Sequence, residues 1–143
     1  MPHYRDIREF IRTLEERGKL TKISRPIRKD TELAPLVRWQ YRGLPESERK
    51  AFLFDHVVGE NGRRFDMKVL IGAMAGNREI YALGLQCGVG GIQERWAEAL
   101  KRPIDPVMVE SGPCQEVVLD EESLKSVGLD TIPVPVSTPG FDN

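Results

Sequence analysis

Ala51-Phe52-Leu53-Phe54 and Lys68-Val69-Leu70-Ile71, the second running straight into Gly72-Ala73-Met74-Ala75-Gly76-Asn77, are the stretches on which the fold turns. Both runs are apolar enough to be buried strands, and Gly59-Glu60-Asn61-Gly62 between them supplies the positive dihedral angles of a turn. The pair reads as a hairpin or a near relative of one. From Asn77 the pattern becomes helical, with Ile80, Leu83 and Leu85 as inward residues.

Toward the N-terminus, Tyr4, Ile7, Phe10, Ile11 and Leu14 recur at three- and four-residue steps between charges, and Gly18 is placed to end that helix in a left-handed conformation. The alternation in Lys19 to Ser24 suits a short strand, stopped at Arg25-Pro26 because proline forces its predecessor out of helical geometry. Asp30 or Thr31 can cap a second helix carrying Leu33, Leu36, Val37 and Tyr41, with Pro35 delaying its start. Gly43 to Glu48 is a loop.

Toward the C-terminus, Gln93 to Leu100 forms another short helix with Trp96 and Leu100, ended by Pro103 and Pro106. Pro106 to Val109 and Glu116 to Leu119 read as further strands, and Ser111-Gly112-Pro113 between them is the best candidate for a boundary. Asp120 can cap a short helix from Glu121 to Val127, closed by Gly128. Ile132-Pro133-Val134-Pro135-Val136 is extended and interrupted by proline, and its apolar side chains need a partner surface that Ser137 to Asn143 hardly provide.

The whole chain has 143 residues, enough for one compact domain or for one small domain and part of another. Twenty-one Lys and Arg against 22 Asp and Glu leave a net charge of −1, so no basic field exists to hold nucleic acid or an anionic membrane. Two cysteines, Cys87 and Cys114, in no metal-like spacing fit a reducing compartment, and the expected location is the cytoplasm. The opening MPHYRDIREF carries charges where a signal peptide needs an apolar run, and no stretch approaches the length of a membrane span.

Chemistry-bearing patterns are sparse. Gly72 to Asn77 lies between a strand and a helix, where free N–H groups could receive a phosphate, but it lacks Gly-Lys-Ser/Thr and the G-x-G-x-x-G spacing. Tight packing with Asn77 as a cap is the first reading. Gly88-Val89-Gly90-Gly91 follows helix rather than strand and reads as a connection, with a lid as the alternative. His3 and His56 share no metal spacing; Asp55-His56 could be an oriented base, although adjacent strand residues point to opposite faces, which favours a strand-end turn. Cys87 and Cys114 have no evident cause for a lowered thiol pKa, and Asp120, Glu121 and Glu122 suit a helix N-terminus on electrostatic grounds alone. Arg8, Arg12, Lys29, Arg38, Arg42, Arg63, Arg64, Arg78 and Arg95 are dispersed among acids without an aromatic platform. No acid, base, nucleophile and oxyanion donor assemble from these residues.

Several segments in order resemble UbiD-type reversible decarboxylases. Tyr4 to Phe10, Leu14 to Leu20 and Ser24 to Ile27 resemble the family's opening; Phe52 to Gly59 resembles its strand and turn; Asn77-Arg78-Glu79 with Ala82 to Leu85 resembles its next helix. Pro113 to Val118 and Leu129 through Gly140 resemble the passage into its second domain, and Pro113-Cys114-Gln115-Glu116 is most similar to members acting on aromatic or heteroaromatic acids.

The resemblance implies a homo-oligomeric cytoplasmic enzyme of three parts that acts on a small unsaturated carboxylic acid. It implies prenylated FMN held with a divalent metal (Mn or Mg) and a monovalent cation (K), the modified flavin acting as the electron sink for loss of carbon dioxide. The family's cofactor ligands and Glu-Arg-Glu network lie downstream of the segment matching Pro139-Gly140, so the resemblance gives no catalytic, cofactor-binding or metal residue here, and no bound cofactor is expected on this segment alone. The expected fold is α/β (α+β): a small mixed sheet flanked by helices in residues 1–112, then the connection, first strand and short helix of a split-barrel flavin-binding domain in 113–143. The remainder of the decarboxylase chain would be the partner. A separately encoded accessory subunit and a small phosphate-binding module at Gly72 to Asn77 are the competing expectations.

Overall fold

A computed structural model describes residues 3–125 and 127–137. Pro139-Gly140 of the resemblance lies outside the described residues.

Helix α1 spans Ile7–Glu16 and starts at Asp6, whose Oδ1 accepts the Glu9 N–H at 2.9 Å, while Glu9 Oε2 accepts the Arg5 N–H at 2.7 Å. Donors left unpaired by the helix start are thus satisfied from both directions. Gly18, at φ +65°, turns the chain after the helix as its position in the sequence leads one to expect. Strand β1 (Leu20–Ile23) then runs parallel to β3 (Ala51–Phe54), with Leu20 opposite Ala51 and Ile23 opposite Phe54. A parallel neighbour requires a crossover, which helix α2 (Leu33–Gly43) supplies. Strand β5 (Val69–Ile71) lies antiparallel on the other side of β3, giving the order β1-β3-β5 and the expected hairpin relationship.

All four residues of β3 are buried, because both faces of the central strand are covered. Phe52 and Phe54 face α2 and pack with Ile27, Leu33, Val57 and Phe65; their own rings stack at 5.7 Å. Ala51 faces the other way, toward Phe10 and Leu14 of α1, Ala73, and Ile80 of α3 (Arg78–Gly84). The result is a mixed α/β unit with a small sheet between helices.

The two parallel strands continue beyond this sheet as β2 (Ile27–Arg28) and β4 (Val57–Val58), again parallel, with Ile27 opposite Val57. Between the ladders one chain spends Ser24, Arg25 and Pro26 where the other spends only Asp55 and His56. That mismatch is a bulge-like break, bridged by Asp55 N–H to Ile23 O at 3.1 Å and Ile27 N–H to His56 O at 3.0 Å. The turn at Gly59 to Gly62, with Gly62 at φ +77°, folds Phe65 back so that its N–H reaches Val57 O at 3.1 Å.

Three expectations are corrected. Helix α2 is capped by neither Asp30 nor Thr31: its N-cap is Glu32, which makes no side-chain cap bond. The Glu32 carboxylate accepts the Arg28 N–H at 2.9 Å instead, and Asp30 pairs with Lys29 at 2.5 Å. Pro35 is tolerated in the first turn, where its missing N–H has no helical partner to lose.

The strands expected at Pro106 to Val109 and Glu116 to Leu119 do not form among the described residues, and Pro113–Gln115 between them is a single 3-10 turn. An apolar run becomes a strand only when its N–H and C=O groups meet a ladder partner, and these runs meet none here. Helix α4 spans Ile92–Lys101, one residue beyond its expected bounds at each end, whereas the last helix is shorter than expected: α5 covers only Glu121–Leu124, capped by Asp120 through the Ser123 N–H at 2.9 Å as expected.

Candidate functional site

The break between the ladders holds the Asp55-His56 pair. Ser24 Oγ donates to Asp55 Oδ2 at 3.1 Å, Lys68 Nζ stands 2.7 Å from Asp55 Oδ1, and His56 Nδ1 lies 2.7 Å from Ser24 O. Lys68 holds the Asp55 carboxyl below its ordinary value, Ser24 adds to the effect, and partial burial opposes it. Both side chains serve the backbone break, with no bond between them, so the turn reading stands over an acid-base dyad. A cleft of about 480 Å3 opens beside His56, Pro26, Arg64 and Phe65.

At Gly72 to Asn77, Gly72 takes φ +77° and the Gly76 N–H donates to Gly72 O at 2.8 Å. A Cβ on Gly76 would sit 2.8 Å from Gly72 O and from Ile80 Cδ1, so the loop is filled by its own packing. Asn77 caps α3 by accepting the Ile80 N–H at 2.8 Å. Gly88 to Gly91 leads through a 3-10 turn into α4.

Sequence reasoning missed a second task of Asn77 and the role of Gln40. Asn77 Nδ2 donates to Arg49 O at 2.6 Å; buried Gln40 donates from Nε2 to Lys50 O at 2.9 Å and accepts the Lys50 N–H at 2.8 Å. Two amides thus hold the two residues that precede β3. The signal for Gln40 is its spacing from Leu33, Leu36 and Val37, which places a polar residue on the buried stripe of α2.

Three of the named arginines have acidic partners: Arg8 faces its neighbour Asp6 at 3.7 Å, Arg78 faces Glu46 at 3.8 Å, and Arg63 reaches the distant Asp130 at 2.5 Å. Cys87 is half-buried and Cys114 exposed. Among the described residues no three His, Cys, Asp or Glu side chains converge as metal ligands, and no helix is long and apolar enough to cross a membrane.

What stands out is apolar surface. Past α4 the chain presents Ile104 at 90% and Met108 at 91% exposure, with Val107, Val109, Val117 and Val118 similarly bare, while α4 itself buries no residue and exposes Trp96 and Leu100. Contiguous exposure of this kind marks an interaction surface. The body before it is sealed on both faces of β3; the arm after it is not.

The model of the 3-octaprenyl-4-hydroxybenzoate carboxy-lyase N-terminal domain matches residues 11–102. Among solved structures, the UbiD-class enzyme HmfF from Pelotomaculum thermopropionicum, in complex with FMN, is similar with a TM-score of 0.69 at 24% identity, over 92% of this chain and 27% of that one. The 3,4-dihydroxybenzoic acid decarboxylase from Enterobacter cloacae gives 0.68 at 25% identity, over 96% of this chain and 29% of that one. The open form of vanillic acid decarboxylase from Sedimentibacter hydroxybenzoicus gives 0.62 at 22% identity, over 85% and 26%. This chain spans about a quarter of the length of these structures. With the match running from within α1 to the residue after α4, the chain belongs to the UbiD N-terminal domain family.

Proposed function

We propose that this chain is the leading segment of a prenylated-FMN-dependent (de)carboxylase of an aromatic, heteroaromatic or other unsaturated carboxylic acid. Residues 1–112 form its N-terminal α/β domain, and 113–143 lead into a central split-barrel flavin-binding domain. The observation that carries the reading is the contrast between a body whose central strand is buried on both faces, with its apolar exposure scattered singly, and the run of bare apolar side chains from Ile104 to Val118. Family membership and the names of the similar enzymes support it.

In this reading the segment frames the flavin domain and a cytoplasmic homo-oligomer. Residues outside it hold the flavin, the divalent metal (Mn or Mg) and the monovalent cation (K). The residues present do not fit a flavin phosphate at the Gly72 to Asn77 turn, since the space before α3 is taken by Gly76 against Gly72 and Ile80. No chemical step is assigned to a residue here.

The test is the intact mass and activity of the native polypeptide that carries this sequence. The expected result is a chain well above 16.2 kDa with flavin absorbance, releasing carbon dioxide from, or exchanging labelled carbon dioxide into, an aromatic acid. A native 16.2 kDa polypeptide bound to a separate decarboxylase establishes the accessory subunit instead. A flavin-loaded full chain inert toward every unsaturated acid offered overturns the reading.

A further inference from the structure

After the bare arm, the chain returns. Pro133 is buried, the Val136 N–H donates to Lys29 O at 3.1 Å just past β2, Arg38 of α2 donates from Nη2 to Ser137 O at 2.5 Å, and Arg63, the residue after the 59–62 turn, meets Asp130 at 2.5 Å. Three contacts from three separate parts of the body, with one buried proline, converge on eight consecutive residues. The composition of that segment explains its manner of docking. Pro133 and Pro135 have no N–H and fix their own φ, so the run is stiff and short of donors. The Val134 N–H turns back to Ile132 O at 2.8 Å, and the Val136 N–H is the backbone donor that reaches Lys29 on the body.

We propose that residues 130–137 form a strap tying the polypeptide back to the body, and that Arg38 and Arg63 are positioning residues fixing where it departs toward the following domain. The strap is carried by the geometry above; only the domain beyond it rests on the proposed function. Val136 pairs with the carbonyl of Lys29, the residue after β2, whose own N–H is held by Val58 O at 2.9 Å. Arg63 and Asp130 are both solvent-accessible, so their pair contributes selectivity of docking more than strength. Arg63→Asp also takes the guanidinium from over the Phe65 ring, 5.6 Å away, whereas Asp130→Arg leaves that ring contact in place and is the cleaner single variant.

The test uses the full native chain. Hydrogen exchange is followed in peptides covering 128–137, with the β5 to α3 region, 69–84, as internal control. Arg63→Asp and Asp130→Arg, each alone, are expected to speed exchange in 128–137 about five-fold or more while the control is unchanged. The double variant returns it most of the way to the parent rate, because opposite charges again face each other while only the contact of Arg63 with the Phe65 ring stays lost; a role in general stability would not be rescued. Arg38→Ala is expected to loosen 135–137 in the same way. Parent-like exchange in both single variants, or a double variant as fast as the singles, overturns the strap. Exchange is read without catalysis, so an inert enzyme with a protected strap defeats only the functional reading.

Discussion

Ser24 and Asp55 meet where both parallel strands break step, the Ser24 hydroxyl donating to the Asp55 carboxylate at 3.1 Å from the longer of the two connections. The bond closes over a site where one chain carries an additional residue and Pro26 withholds an N–H. Lys68, just before β5, adds its charge to the same carboxylate from the third strand's side. A local mismatch in strand length is thereby held by three side chains from three segments.

The first prediction concerns pH. Asp55 has its folded pKa depressed, chiefly by Lys68, so its contribution to stability is complete above the unfolded carboxylate value and is lost as pH falls through the folded one. Lys68→Met raises that folded pKa. Near neutral pH the variant is expected to be less stable by up to about 1 kcal/mol, and the two proteins converge in acid as pH falls through the parent's depressed folded pKa, where the carboxyl is protonated in both. Urea midpoints at neutral and at acid pH measure this; an equal gap at both would place the effect outside the ion pair.

The second prediction concerns the buried amides. Gln40→Leu keeps the volume on the α2 stripe but leaves both polar groups of Lys50 without their side-chain partner. The expected loss is about 1–3 kcal/mol in denaturant unfolding. Asn77→Ala removes the α3 cap and the bond to Arg49 O together, with a loss of similar size. The two variants combined are expected to lose less than the sum, since Arg49 and Lys50 are adjacent.

These amides also show where the sequence stops being legible. Apolar runs locate β3 and β5, three- and four-residue spacing locates α1, and the Asn77 cap and the Gly18 turn follow from side-chain chemistry within four residues. The parallel pairing of Leu20 with Ala51 is set by tertiary packing across the α2 crossover, and β2 and β4 are two residues each, too short for any pattern. Asp30 has the chemistry of a cap, but Lys29 competes for its carboxylate, and nothing local decides that contest. The runs at Val107 and Val117 announce burial without naming what buries them, so their expected strands are absent from the described residues. Arg38 and Arg63 look like solvated charges until the tail is placed against them.

The third prediction separates two glycines by cause. Gly76→Ala puts a methyl group 2.8 Å from a backbone oxygen and from Ile80 in the α1–α3 core layer, and the oxygen cannot move without unwinding the turn. The expected loss is about 1–3 kcal/mol. Gly18→Ala meets nothing within 4 Å and is strained only by its φ of +65°, for about 1–2 kcal/mol. Gly18→Asn is expected to recover most of that loss, because asparagine tolerates the left-handed region, whereas Gly76→Asn is expected to be at least as harmful as Gly76→Ala. Thermal unfolding of the four variants distinguishes conformational strain from collision.

The fourth prediction bears on the arm. Val118 is exposed beside equally exposed Glu116, and substitution of a residue that faces water changes stability by no more than about 0.5 kcal/mol. If the apolar run is covered by the following domain, Val118→Asp in the full native chain introduces an unpaired carboxylate into an apolar contact and costs several times that amount, about 2 kcal/mol or more. Glu116→Ala, two residues away and on the same backbone, serves as the control and is expected to be near neutral. Met108→Asp tests the other run by the same logic. Denaturant unfolding of the full chain decides it: if Val118→Asp and Met108→Asp both stay within about 0.5 kcal/mol of the parent, the arm faces water in the whole protein, and its contrast with the buried central strand loses its meaning.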